Sequence, residues 1–482
     1  MYRTVAQIEA EIGLLAAWFP AYFTKIPLPN NSVLGKPISA LRMRAGSGPE
    51  RRGVLLVGGT HARELMNPEA ILDMAVDLLL SHINGTDIVY GGQTFTADVV
   101  KTILEAVDLW LLPCLNPDGR AHVMTVDDLW RKNRRDNPGT PCDGVDLNRN
   151  YDLVFGVTEG QTSCSPCSDV FCGPSAFSEP ETKNVKALLD GHSICCFADV
   201  HSFSELILHP WGHAPTQTVD ATKRFTTLPT GTCAPIGKPG YQEYMEPRDL
   251  LRFQTVGDRI VDAIKAVRGR VYTRQPGIAL YPTTGTASDY VYSRHIANPK
   301  LGKIYAYTFE TGPDTGNTAD SFHPADPTLI KRDAKAAMLT LAHQCVCAIE
   351  LIGLKLLGSD TEVSALRTVR DDLLATTAAG RTWIACFERV QHRLLGVVLA
   401  DESLRKEAAS LLERAGSLVK DERAKVSRED VARGRSLLRE LTKRDRDRGV
   451  RADLKGVDSV ISRMAGLSSR EAIERLMQQT QG

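Results

Sequence analysis

The sequence predicts an α/β sheet with helices on both faces, followed by an all-α C-terminal region. Three observations carry this. Over residues 1–355, short apolar runs alternate with amphipathic stretches, the pattern of strands alternating with helices. The loops between about 112 and 180 and between about 205 and 300 are long and rich in Gly, Pro, Asp and Asn, and long loops on a rigid sheet usually build a site. After Gly358 the composition changes. Residues 359–482 hold 24 Lys/Arg, 20 Asp/Glu, two aromatics (Trp383, Phe387) and no proline, whereas all 25 prolines lie at or before Pro327.

The elements follow in order. Ile8, Ile12, Leu15 and Trp18 recur at helical spacing and predict a first amphipathic helix. Gly53–Gly59 (GVLLVGG) reads as a buried strand. Pro68–His82 is the helix after it, with Ala70, Ile71, Met74, Leu78 and Leu79 on one face. Val107–Leu115 is a second buried strand, Glu179–Leu189 a helix, Ser193–Val200 and Lys303–Phe309 further strands, and Asp333–Leu356 a long helix. Leu404–Val419 and Val431–Leu441 carry Leu and Ala at helical spacing among charges. Lys443–Arg451 is a solvated mixed-charge turn or helix end. Two domains result, 1–357 and 358–482.

Composition excludes several classes. Lys+Arg and Asp+Glu are both 58 in 482 residues, so no whole-protein basic field exists for nucleic acid. Hydrophobic residues at 43% argue against a disordered or fibrous chain. No apolar run reaches the roughly 18–20 residues of a membrane helix. Glu9 and Glu11, not a basic run, precede the apolar Leu14–Phe23, and no small-residue cleavage site follows. That is unlike a signal peptide, and the default expectation is cytoplasmic. The 11 cysteines weigh against it. Cys114, Cys195, Cys196, Cys345, Cys347 and Cys386 sit in apolar contexts as small core hydrophobes. Cys142, Cys164, Cys167 and Cys172 lie in loop sequence, open to disulfides, free thiols or a structural zinc site.

The sharpest local feature follows the first buried strand: Gly58-Gly59-Thr60-His61-Ala62-Arg63-Glu64. At i and i+3, His61 and Glu64 can reach one cation from one face of a turn. His201, just past the apolar strand ending Asp199-Val200, is the best third ligand, because strand ends in α/β sheets converge on the ligand crevice. Two His and one Glu leave an open position on zinc, the catalytic arrangement. His209 and His213 are rivals in sequence, but read as loop residues.

At this point the chain resembles the zinc metallocarboxypeptidases of the carboxypeptidase A/B type. Seven motifs carry the resemblance in order: GGTHARE (58–64), LNPDG (115–119), WRKNR (130–134), GVDLNRNYD (144–152), HSFSELILHPWG (201–212), LYPTTGTASDY (280–290) and YTFETG (307–312). It spans roughly residues 5–350 and implies a mixed central sheet flanked by helices, with one zinc per chain. By the same resemblance His61, Glu64 and His201 bind zinc, and Asp146 orients His61. Glu310 is the general base on the zinc-bound water, passing the proton to the leaving amine. Arg131 stabilises the oxyanion. Asn148 and Arg149 clamp the substrate's terminal carboxylate, Arg63 contacts the peptide upstream, and Tyr281 closes over it. Ser288, seven residues after Tyr281, falls at the base of the specificity pocket with Thr283, Thr286 and Leu208 nearby, and implies a neutral side chain. Asp289 has a structural role, and Cys142 and Cys167 fall where secreted relatives carry a disulfide. The match also leaves no room for a preceding inhibitory prodomain.

The expected reaction is removal of one C-terminal residue, because a carboxylate so near the scissile bond exists only at a chain terminus. The partner is then a peptide or protein C-terminus, with neither nucleic acid nor membrane, and 359–482 is open to a protein partner. One alternative is a zinc amidase acting on a peptidoglycan stem or side-chain glutamates. Another is an inactive metal-binding scaffold recruiting partners through the C-terminal helices.

Overall fold

The computed structural model describes residues 2–346, 401–445 and 448–478, with scattered positions between 366 and 398. The chain forms two compact units, Met1–Cys345 and Val346–Gly482. The sequence expectation put this change at 357/358. The end of the first unit coincides with the last residue of the helix Thr328–Cys345. The expected continuation of that helix past 346, and Cys347 with it, lies outside the described residues.

The first unit is built on one eight-stranded mixed sheet. Its strands are β1 Phe23–Pro27, β2 Ser39–Met43, β3 Gly53–Gly58, β4 Asp108–Leu112, β5 Ile194–His201, β6 Leu206–His209, β7 Thr273–Pro276 and β8 Tyr305–Glu310, in spatial order β1-β2-β4-β3-β5-β8-β6-β7. β4, β3, β5 and β8 run parallel, while β1, β2 and β6 add antiparallel pairings. Every residue of β3, β4 and β5 is buried. Strands covered on both faces read as continuous apolar runs rather than alternating ones, which is why these strands were legible, as was β8, expected at Lys303–Phe309 and buried from Ala306 to Phe309.

Local signals set the helix starts. Thr4 and Gln7 form a capping box on Val5–Trp18. Ile8, Ile12 and Leu15 of that helix are buried, but Trp18, expected on the same face, is 69% exposed in its last turn. Met66–Asn84 ends on Gly85 at φ 65°, the left-handed stop that glycine adopts without strain. Met66–Asn84 and Pro247–Arg268 both pack against Thr328–Cys345.

β3 and β5 are out of step at Gly53/Val54: Gly53 faces Ile194, but Val54 faces Cys196. Cys195 is therefore the extra residue of a bulge, which places Cys195, Cys196 and Cys345 close together. Cys196 and Cys345 are not the simple core thiols expected; they form a disulfide. In the loops, Cys142 pairs with Cys167, and Cys164 with Cys233. Cys172 is buried and unpaired. These pairings leave no C-x2-C-x4-C metal site at 164–172.

Described by itself, the second unit is helical: Glu402–Lys420, Arg428–Arg444, Arg448–Ile461 and Ser469–Gln478. Asp401 caps the first helix, and Ser427 with Asp430 forms a capping box on the second. Leu404, Ala408, Val431, Leu441, Leu454 and Ala472 are among its buried apolar residues. Arg414–Asp430, Arg433–Glu407 and Arg435–Asp458 pair across neighbouring helices. Among the described residues, no helix is long and apolar enough to cross a membrane.

Candidate active site

The site lies at the carboxyl ends of the parallel strands, where β3, β5 and β8 finish side by side. His201 is the last residue of β5 and pairs in register with Glu310, the last of β8. The chain leaves β3 through Gly58 and Gly59. A Cβ at Gly58 would collide with the Pro113 carbonyl and Ile71, and Gly59 holds φ 64°. Only glycine fits this close approach. A tight turn then sets His61 and Glu64 side by side, with the Glu64 amide donating to the His61 carbonyl at 3.3 Å.

Three donors converge. His61 Nδ1 lies 2.7 Å from Glu64 Oε1, His201 Nδ1 lies 3.0 Å from Glu64 Oε2, and the two Nδ1 atoms are 3.0 Å apart. The outer nitrogens meet carboxylates: His61 Nε2 is 3.2 Å from Asp146 Oδ1, and His201 Nε2 is 2.9 Å from Asp199 Oδ2. The hydrogen bond to Asp146 fixes the His61 proton on Nε2 and turns its Nδ1 lone pair inward, and the Asp199 carboxylate beside His201 Nε2 favours the same tautomer there. Two inward lone pairs this close need a cation between them. Nitrogens on a tetrahedral zinc ion at about 2.05 Å stand about 3.3 Å apart, near the observed spacing. The donor set therefore fits zinc. Asp199 had no role from sequence, although it shares a strand face with His201 at spacing two. Thr60 Oγ1 holds its other oxygen at 2.8 Å.

Asp146 is buried and central. Besides His61, its Oδ2 accepts from Arg131 Nε at 3.0 Å and Nη2 at 2.9 Å, and Arg149 Nη1 is 3.9 Å away. Burial alone would raise its pKa, but the Arg131 and Arg149 guanidiniums hold it well below the usual carboxylate range. This carboxylate thus partly neutralises the Arg131 and Arg149 charges. Arg149 is held by the Gln161 carbonyl at 2.5 Å and the Asn148 carbonyl at 2.7 Å. Asn148 Oδ1 accepts the Ala287 amide at 2.8 Å, at the start of the helix Ala287–Ala297. Gly285 exchanges backbone bonds with Leu153 and Tyr151, which docks the Tyr281 loop against the clamp. Tyr281 lines the same cavity as Arg149 and is 37% exposed at its mouth.

Glu310 lies in the same cavity. Burial raises its pKa to about 7, with His201 pulling it down and Glu64 pushing it up. Arg63 stacks its guanidinium 4.5 Å over Phe322 and donates to the Leu129 carbonyl at 3.2 Å. At the other end Thr308 Oγ1 donates to Ser288 Oγ at 3.2 Å, among Thr283, Thr286, Leu208 and Gly212. The structure thus brings His61, Arg63, Glu64, Arg131, Asn148, Arg149, Tyr281, Ser288 and Glu310 onto one cavity, with His201 directly behind. His209 is not a loop residue but ends β6. Neither His209 nor His213 joins the ligand group.

Residues 8–338, more than half of the chain, match the zinc carboxypeptidase (Peptidase_M14) family model. Mouse carboxypeptidase A4 is 28% identical over 65% of this chain and 63% of its own length. Carboxypeptidase B of Astacus astacus is 29% identical over 66% of this chain and 88% of its own. Among solved structures, carboxypeptidase A from Helicoverpa armigera superposes with a TM-score of 0.54 at 25% identity, covering 71% and 72% of the two chains. The chain thus spans less than two thirds of the length of several mammalian relatives. With the sheet, the converging donors and the family match in agreement, the chain belongs to the zinc carboxypeptidase family.

Proposed function

We propose that this chain is a zinc-dependent carboxypeptidase that hydrolyses the last peptide bond of a peptide or protein and releases a neutral residue. One observation carries the reading: the carboxylate clamp, the candidate base and the His–Glu–His group line or adjoin a single cavity. His61, Glu64 and His201 would hold zinc, which when bound polarises the scissile carbonyl and acidifies water. Asn148 and Arg149 bind the terminal carboxylate, and the planar guanidinium matches its two oxygens. Tyr281 covers the bound end. Glu310 takes a proton from the attacking water and returns it to the leaving amine, a role suited to a carboxyl held near neutral pH by burial. Arg131, fixed by Asp146, meets the negative charge that develops on the carbonyl oxygen. The hydroxyls of Ser288, Thr283, Thr286 and Thr308 and the Leu208 side chain support the neutral preference.

The test is mass spectrometry of a peptide library incubated with wild type and Glu310→Gln. Loss of single C-terminal residues by wild type is expected, slowed about 10²–10⁴-fold in the variant. Release from amide-blocked C-termini at the same rate, or no release at all, would sink the reading.

We also propose that the chain folds in an oxidising compartment, rather than the cytoplasm expected from its N-terminal sequence. The three disulfides support this. Thiol titration of the unfolded natural protein should find six fewer thiols before reduction than after.

A further inference from the structure

Asp289 is a carboxylate in the lining of the substrate cavity, next to Ser288 and the threonines. It sits in the first turn of the helix Ala287–Ala297 and is 1% exposed. Its Oδ2 accepts the Gly212 amide at 2.8 Å. A buried carboxylate at that place should draw a Lys or Arg side chain into the pocket, against the neutral preference that the hydroxyls support. The resolution lies directly behind it. His213, 2% exposed, places Nδ1 3.6 Å from Asp289 Oδ2 and Nε2 3.1 Å from Glu243 Oε2. Glu243 lies outside the cavity lining. Glu243 also accepts the Phe225 amide at 3.0 Å and the Tyr241 hydroxyl at 2.7 Å, which stabilise its carboxylate.

The geometry points to His213 as a specificity-determining residue: as an imidazolium held between two carboxylates, it offsets the Asp289 charge on the pocket side and keeps cationic C-terminal residues out. This rests on the carboxypeptidase reading above. His213 touches no substrate; it acts through Asp289, which does line the pocket. The imidazolium form is the one the surroundings favour. Burial pushes the ring's pKa down, but Asp289 and Glu243 more than reverse this and raise it to about 9. The other titratable groups near the ring are few. Tyr241 stays protonated, its pKa raised by burial and by Glu243. Glu159 and Lys238 line the neighbouring cavity that His213 also borders. Two measurable consequences follow: loss of the imidazolium, by mutation or by alkali, leaves Asp289 uncompensated in the pocket.

The experiment compares kcat/KM of the zinc-loaded full chain on matched N-blocked peptides ending in Arg or Leu. Wild type at pH 7 should favour Leu. In His213→Gln the Arg:Leu ratio should rise tenfold or more. A merely structural role would slow both substrates together and leave the ratio unmoved, which overturns the inference. The same ratio in wild type between pH 7 and 9.5 decides the matter if the variant does not fold. Arg keeps its charge throughout, and titrations common to both substrates cancel, so a rise through about pH 9 is expected and a flat ratio overturns the inference. A wild type that releases neither residue instead overturns the carboxypeptidase reading, and the inference with it.

Discussion

At the residue scale, Asp146 is the position on which most of the site depends. One buried carboxylate orients His61, receives Arg131 through two bonds and stands 3.9 Å from Arg149. Asp146→Asn should weaken zinc binding about 10–100-fold, the usual effect of losing a partner that orients a metal-bound histidine. It should also lower kcat, because Arg131 loses its anchor. Competition with a fluorescent chelator checks the first effect and steady-state rates the second; zinc affinity equal to wild type would refute the hub role. Arg149→Lys tests the clamp. A Lys ammonium cannot offer the planar fork, so KM for free-ended peptides should rise about 10–100-fold, the equivalent of one or two charged hydrogen bonds. An unchanged KM would remove Arg149 from the clamp.

At the element scale, the loops that carry the clamp are held by covalent links rather than by regular structure. Between β4 and β5 the described helices longer than three residues are only Pro117–Val123 and Pro180–Gly191. Cys142–Cys167 encloses Asp146, Asn148 and Arg149, and Cys164–Cys233 ties the same region across 69 residues. Loop-closure entropy puts the latter link at about 4 kcal/mol. Cys164→Ser/Cys233→Ser should therefore lower the midpoint of thermal unfolding by several degrees and raise KM, seen by calorimetry and kinetics. A variant with unchanged midpoint would show that hydrogen bonds alone fix the loop. The helix Pro180–Gly191 supplies a pH-dependent term through Glu181, which accepts the Val33 amide and Asn133 Nδ2. Burial raises its pKa from 4.5 to about 7. A raised folded pKa means that its contribution is fully present below pH 4.5 and is lost as pH rises through 7. Glu181→Gln should accordingly gain stability over wild type at pH 8 and not at pH 4.5, as melting curves at the two values would reveal. An equal difference at both would contradict it.

At the scale of the whole molecule, the two units differ in what stabilises them. Met1–Cys345 is built around a buried sheet and carries the His–Glu–His group. The described helices of Val346–Gly482 are joined by partly exposed ion pairs around buried apolar residues such as Leu404, Leu441 and Leu454. Exposed pairs of this kind contribute little each. Calorimetry of the zinc-loaded chain should show two transitions, of which only that of the first unit falls when a chelator is added. Ligand linkage sets the scale, about 4 kcal/mol when free zinc is 1,000 times its Kd. A chelator that shifts both transitions equally would argue for one cooperative body.

What could be read from the residues alone was what is local or buried on all sides, while Arg131, Asp146, Asn148, Arg149, Tyr281, Ser288 and Glu310 were legible only through the resemblance of whole motifs. β3, β4 and β5 were legible because strands covered on both faces are runs of apolar residues. The His61/Glu64 spacing was legible because two ligands three residues apart share one turn. What only the tertiary structure decided involves residues whose meaning comes from a distant partner. Asp289 was a motif residue until His213, 76 positions earlier in the chain, was found against it. Cys196 and Cys345 read as core thiols because no local signal announces a partner 149 positions away. Cys164 found its partner in Cys233, outside the cluster that sequence proximity suggested. Trp18 sat at the right helical spacing yet faces solvent, since periodicity defines a stripe but not where the neighbouring surface ends. Backbone propensity and burial are written residue by residue, whereas charge compensation and cross-links belong to pairs that only the folded chain brings within a few ångströms.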